Sequence, residues 1–291
     1  MISSLVAWIE SEEDVRAAAL VGSRAMPEAR VDRLSDYDVL LFVRDPATYA
    51  TGHPWWEAFG PVLVTLRERY ELAGRPVPTR LVQYEDGVRI DFSLLDLEIV
   101  ERIAGSGRLP DTLEAGYRVL VDKDDRLSRL PDATGGAYIP APPDETAFRQ
   151  VVEEFWWEAT CVAKHLARGE ALPARYSGEC VLRFECLVPM IEWYVEGSRG
   201  WDAPLGARGR GLASLLDEAE RSRLRRTFAG AGIEESWEAL FTATGWFADM
   251  ARAIADDLGF ASPDPLAARV ETFLRAVREG VAGKRGPPSL R

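Results

Sequence analysis

The stretch from Leu20 to Val43, LVGSRAMPEARVDRLSDYDVLLFV, restricts what this chain can fold into more than any other. An apolar run ends at Gly22-Ser23, twelve residues of polar loop intervene, and a second apolar run opens directly behind Asp36 and Asp38. Residues two apart on a strand point to the same face, so the two aspartates project together while Tyr37 and Val39 go the other way. Two like charges side by side are destabilising unless a positive charge lies between them. A divalent cation supplies that charge: Mg²⁺ binds oxygen at about 2.0–2.1 Å, through one or two carboxylates together with substrate phosphates. The plain alternative is a solvated strand end, where charged residues ordinarily sit.

A third carboxylate comes from the run VRIDFSLL, residues 88–95. Alternation puts Arg89, Asp91 and Ser93 on one face and Ile90, Phe92 and Leu94 on the core face. If this strand neighbours that of Asp38, Asp91 joins the pair, and three convergent carboxylates hold two metal ions about 3.5–4 Å apart for in-line displacement at phosphorus. Gly22 lets the backbone approach a ligand closely. The amides after it and the Ser23 hydroxyl donate to phosphate oxygens, and Arg24 adds a cation beside them.

The 291 residues are enough for two domains or one large one. Residues 1–135 mix the two periodicities. A helix is expected over 3–11, with Leu5, Trp8 and Ile9 on one face, and another over 53–73. Strands are expected over 17–21, 38–43, 80–84, 88–95 and 117–122, with Glu85-Asp86-Gly87 as a hairpin turn. The segment PDATGGAYIPAPP, 131–143, is the best boundary. Beyond it the pattern is helical, over roughly 145–168, 178–196, 210–229, 234–258 and 264–281, and KRGPPSLR at 284–291 reads as a frayed tail. The fold class is therefore α+β: an N-terminal mixed sheet with helices, 1–135, followed by a C-terminal all-α bundle, 144–291. A cleft between two such domains is a common place for a site.

Composition narrows the chemistry. No apolar run approaches the ~20 residues of a membrane span, and the first residues turn acidic and lack the basic start of a signal peptide. Cys161, Cys180 and Cys186 are odd in number with no CxxC pair, which speaks against disulfides or zinc and for a reducing, cytoplasmic setting. With only His53 and His165, a metal must be held mainly by carboxylates, which favours a hard cation such as Mg²⁺. The net charge of −12 disfavours nucleic acid as a partner. It either attracts a cationic small molecule or simply keeps the surface soluble.

On a helical wheel of 145–168, Phe148, Val151, Phe155, Ala159, Val162 and Leu166 form the core stripe, and Glu153, Trp157, Thr160 and Lys164 lie opposite. A tryptophan there is either covered by the other domain or lines a cleft. In the next helix Glu185, Glu192 and Glu196 fall near one stripe, with Pro189 bending it. They are either solvated or able to pair with guanidinium groups. Trp156, Trp193 and Tyr194 read as packing residues, the cysteines as buried small hydrophobes, and His165 as structural.

The order of apolar residue, Gly-Ser, twelve residues, Asp-Tyr-Asp-Val and a later strand with Asp91 resembles the signature of the nucleotidyltransferase superfamily. Within it the chain resembles the aminoglycoside 6-adenylyltransferases, also called streptomycin adenylyltransferases. The matching blocks are GSRA (22–25), SDYDVLLFV (35–43), RIDFSLL (89–95), FWWEATCVAKHLARGEALPA (155–174) and MIEWYV (190–195). The loop MPEARVDRLS, 26–35, departs from the family in its acid and arginine content. The resemblance implies a polymerase-β-like catalytic domain and a reaction in which MgATP and an aminoglycoside hydroxyl give the O-adenylylated antibiotic and pyrophosphate. For streptomycin the target is the 6-hydroxyl of the streptidine ring. It implies that Asp36, Asp38 and Asp91 bind magnesium, with Asp91 either completing a second metal site or accepting the hydroxyl proton. It implies that Gly22 and Ser23 contact the β- and γ-phosphates, and that Lys164 is the helical-domain lysine that reaches the triphosphate. Glu153, Trp157 and Glu185 are then the candidates for the cationic acceptor. Two other readings stay open: a different acceptor, either a small alcohol or a protein side chain, and a nucleotide-binding module without turnover.

Overall fold

The computed structural model describes residues 1–26, 31–139, 141–202, 205, 209, 211–230 and 232–280. Residues 27–30 of the loop, Pro140, Arg210, Val281 and the 284–291 tail, on which some of the expectations fall, lie outside the described residues. The fold divides into two compact units, Met1–Tyr138 and Ile139–Arg291.

The first unit runs α1 (Ile2–Ser11), β1 (Val15–Val21), β2 (Tyr37–Val43), α2 (Pro46–Thr51), β3 (Val62–Leu72), β4 (Arg75–Tyr84), β5 (Arg89–Asp96), α3 (Glu98–Ser106), α4 (Asp111–Glu114) and β6 (Arg118–Asp122). Among the described residues the six strands form one mixed sheet in the order β3-β4-β5-β2-β1-β6. β2 and β5 are parallel, and the other pairs are antiparallel. Both faces of β2 are covered, which is why its sequence reads as an unbroken apolar run. Val39, Leu41 and Val43 join Leu5, Ile9, Trp55 and Phe92 on one side. Leu40 and Phe42 join Leu95, Ile99 and Ile103 on the other.

Residues 53–73, expected as helix, are a short 3₁₀ turn at Trp55–Phe59 followed by the eleven-residue strand β3. The reason is the hairpin between β3 and β4: Ala73 and Gly74, with φ of 49° and 72°, make the two-residue turn whose twist matches paired strands. It locks Leu72 opposite Arg75 and Val62 opposite Tyr84. The hairpin expected at Glu85-Asp86-Gly87 is present. Asp86 Oδ1 accepts from the Val88 amide at 3.0 Å, and Gly87 takes φ 88°.

The second unit contains α5 (Glu145–Ala167), α6 (Ala171–Arg175), a π-helical run over Tyr176–Leu187, α7 (Val188–Gly197), α8 (Leu212–Leu215), α9 (Glu218–Arg226), α10 (Ile233–Leu258) and α11 (Asp264–Arg278). Asp144 caps α5 through the Ala147 amide at 2.8 Å. The Phe155 and Phe247 rings stack face to face at 3.6 Å in the core. The single helix expected over 210–229 is broken. Leu216 is extended, and Asp217 with Glu220 forms a capping box that starts α9 afresh. The helix expected over 178–196 is π-helical in its first part, and Pro189 sits in the first turn of α7. The acidic stripe is not uniform in consequence: Glu185 is exposed, Glu192 half-buried and Glu196 buried. A π run changes the number of residues per turn, so a wheel drawn at 3.6 misplaces the residues C-terminal to it.

Candidate functional site

The site is built at the ends of β1, β2 and β5. Val21, the last residue of β1, pairs with Asp38, and Asp38 pairs across the parallel strands with Asp91. One row of the sheet thus places the two carboxylates side by side on the face that also carries Leu40, Ser93 and Leu95. Pairing by register fixes this adjacency more firmly than any loop can.

Beyond Val21 the chain turns in a 3₁₀ bend, Gly22–Arg24, that presses on Asp38. Gly22 has φ 68°, and a Cβ placed on it would overlap Asp38 Oδ2. Glycine is required there both for the backbone angle and for the space. Ser23 is half-buried in the same bend.

Arg24 turns toward the loop. Its Nε donates to the carbonyls of Ser35 (3.0 Å) and Asp36 (3.1 Å), and its Nη2 to those of Asp32 (3.0 Å) and Ser35 (2.7 Å). The guanidinium also stacks on Tyr37 at 3.9 Å. The cation expected beside the phosphates therefore braces the loop that delivers Asp36.

Asp36 precedes β2 by one residue and is not equivalent to the other two acids. Its link to them is Arg89, whose Nε lies 3.7 Å from Asp36 Oδ2. Arg89 also grips Asp91 with two parallel bonds of 2.8 Å, Nε to Oδ1 and Nη2 to Oδ2. Its pKa is raised, chiefly by the bond to Asp91, and further by the charges of Asp91, Asp36 and Asp38. Among the described residues no group of three or more His, Cys, Asp or Glu side chains is gathered tightly enough to hold a metal ion. The expected convergence of three carboxylates is thus, in this geometry, a pair plus a third acid bridged by an arginine. As a donor set, adjacent aspartate oxygens still suit a hard cation.

A cavity of about 290 Å³ opens over this corner, with Gly22, Asp38, Asp91, Tyr70, Thr79 and Glu68 among its walls. Burial raises the Tyr70 hydroxyl above its ordinary value, its hydrogen bond with Ser93 lowers it, and the Asp38 charge raises it again. Glu68, Tyr70 and Thr79 were not foreseen from the sequence. They belong to β3 and β4, and once β3 is read as a strand, residues 66, 68 and 70 alternate onto the Asp91 face.

The remaining candidates lie in the helical unit. Glu153, Trp157, Lys164 and Glu185 are all exposed, and Trp157 is 67% so. Trp156 is buried in the core, and Trp193 and Tyr194 pack against it. His165 Nδ1 is 2.6 Å from Glu170 Oε2 just past the end of α5. Cys186 is buried, as expected of a small hydrophobe, and Cys161 is half-buried. Cys180, in the π-helical run, is exposed, contrary to that expectation.

Residues 1–277 match the profile of the family described as Streptomycin adenylyltransferase. The chain is 26% identical over 258 residues to an aminoglycoside 6-adenylyltransferase of Bacillus subtilis (strain 168), covering 87% of this chain and 88% of that protein. It is 29% identical over 231 residues to one of Staphylococcus aureus, covering 77% and 79%. A crystal structure of an aminoglycoside 6-adenyltransferase from Bacillus subtilis aligns over 96% of this chain and 97% of that one, at 22% identity and a TM-score of 0.47. The chain belongs to the streptomycin adenylyltransferase family, a family of nucleotidyltransferase enzymes.

Proposed function

We propose that the protein transfers AMP from MgATP to an aminoglycoside hydroxyl, the 6-hydroxyl of the streptidine ring of streptomycin. The observation that supports this best is the register pair Asp38–Asp91 beside the Gly22 bend, at the mouth of a cavity, in a chain of this family. The hydroxyl oxygen attacks the α-phosphorus, the bond from that phosphorus to the β-phosphate bridge breaks, and pyrophosphate leaves. Asp38 and Asp91, with Asp36, are the residues that would hold Mg²⁺, which supplies charge neutralisation for the triphosphate. Asp91 either completes a second metal site or accepts the hydroxyl proton. The amides after Gly22 and the Ser23 hydroxyl bind β- and γ-phosphate oxygens, and Arg24 keeps that bend and the Asp36 loop together. Lys164 binds the triphosphate, and Glu153, Trp157 and Glu185 bind the cationic acceptor. Catalysis is by positioning and electrostatics, which suits a corner with no covalent nucleophile assigned to it.

The partners in this reading are ATP and a cationic aminoglycoside, with neither nucleic acid nor membrane, and the setting is the cytoplasm. No helix among the described residues is long and apolar enough to cross a membrane. Incubation with MgATP and a panel of aminoglycosides, with pyrophosphate release as the readout, tests the proposal. Release dependent on streptomycin supports it. Release with another aminoglycoside alone moves the acceptor, and ATP binding without release from any of the panel overturns the aminoglycoside assignment.

A further inference from the structure

The proposed chemistry gives no task to Arg89, the cation that grips Asp91. Arg89 opens β5 two residues ahead of Asp91, so alternation sends both side chains to the same face. The guanidinium meets the carboxylate fork to fork, the strongest geometry available to such a pair. The Asp91 side chain is 16% exposed and that of Arg89 40%, so the carboxylate end of the pair is shielded while the guanidinium stays open to solvent on one side. The same Nε reaches toward Asp36. One cation therefore lies among the three acids, bonded to Asp91 and 3.7 Å from Asp36, and it feels the charge of Asp38 as well.

We propose that Arg89 is the corner's own counter-ion: it holds Asp91 and Asp36 in place, and a divalent cation must displace its guanidinium from Asp91 in order to bind there. This rests on the metal-binding role proposed for the three aspartates. Both Asp91 oxygens accept from Arg89, so a metal competes for the same atoms and meets a positive charge as it approaches. Arg89 is a positioning residue in this scheme. By weakening the corner's hold on a bare cation, it favours a metal that arrives already carried by the nucleotide's phosphates.

The test uses the full chain, with Mn²⁺ as the probe, monitored by paramagnetic resonance of the free ion and by Tm with and without Mn²⁺. Arg89→Met is expected to tighten the Mn²⁺ Kd about tenfold, the scale of a bidentate, partly buried pair. It is also expected to lower Tm by several degrees without Mn²⁺, and to regain most of that loss when Mn²⁺ is added. Arg89→Lys keeps the charge and loses the fork, so its affinity falls between the two. If Arg89 were only structural, both variants would lose the same Tm with and without Mn²⁺ and bind the ion no more tightly than wild type, and that result overturns the inference. Should Arg89→Met not fold, an Arg89→Lys affinity no tighter than wild type does the same. If wild type and Arg89→Met alike bind no more Mn²⁺ than Asp38→Asn does, the metal-binding role itself is overturned.

Discussion

The two units place their functional candidates by different physical means. In the sheet unit the position of each acid is set by hydrogen-bonded register: Asp38 faces Asp91 because Val39 faces Phe92 and Leu40 faces Ser93. A slip of one residue would send every side chain of β2 to the opposite face, so the pairing cannot drift. In the helical unit the candidates Glu153, Trp157 and Lys164 share only the exposed side of α5, and nothing pairs them residue by residue. The sheet unit specifies a residue-by-residue register, whereas the helix specifies a face. Chemistry that needs fixed distances belongs on the first, and recognition of a broad cation can be entrusted to the second.

Substitutions can break or sharpen that contrast. The largest effect is expected from Asp38→Asn, which should lower adenylyl-transfer turnover by on the order of 10³-fold. The far-UV spectrum should be unchanged, and activity near the wild-type level would remove Asp38 from the metal site. Phe155→Ala, in the helical core, should cost about 3–5 kcal/mol by denaturant unfolding. Because the stacked partner Phe247 is left facing a void, the loss should appear as stability and not as a changed KM for ATP. Gly22→Ala forces an unfavourable φ and a clash with Asp38. It should cost about 1–3 kcal/mol and reduce turnover by about 10²-fold, since the displaced atom is a site oxygen. Trp157→Ala should change stability by less than about 0.5 kcal/mol, as an exposed position does, while raising KM for the acceptor several-fold. An unchanged KM would return that face of α5 to plain solvent. The smallest perturbation is chemical labelling. Burial, with help from Glu154, Glu158 and Glu185, pushes the Cys186 thiol up to about 12. At pH 8 about 10⁻⁴ of it is thiolate, so a thiol reagent should modify exposed Cys180 first and Cys186 only on unfolding.

Legibility in the sequence obeys the same divide. The aspartate strand could be read from its unbroken apolar run, the Asp-Gly hairpin from its turn residues, and the face of Asp91 from alternation in β5, whereas its place beside Asp38 stood only as a condition. β3 could not be read. Its run LRERYEL is rich in the good helix formers Leu, Arg and Glu, and as a sheet edge exposed on nearly its whole length it carries no buried face to impose a period of two. Missing β3 hid Glu68, Tyr70 and Thr79 from the cavity wall. The grip of Arg89 on Asp91 was within reach, since the two were placed on one face, but a side-chain fork leaves no mark in a pattern. On the helices, the core stripe of α5 was read closely enough to include Phe155, Ala159 and Leu166. The break at Leu216 and the π-helical run were not read, because both depend on local backbone hydrogen bonding that hydrophobic spacing does not report.

That π-helical run has a consequence for how the chain tolerates change. Arg183 lies inside it, buried, with Nε on Glu179 at 2.7 Å, Nη1 on the Thr227 hydroxyl at 2.6 Å and its plane against Phe228. A π-helical turn takes one residue more than an α-helical turn. Loss of a single residue between Tyr176 and Leu187 would therefore be absorbed as the wider coil tightens into ordinary helix, with Met190 and Ile191 kept in phase with the interior. The same deletion inside a regular helix such as α10 would swing every later side chain by about 100°.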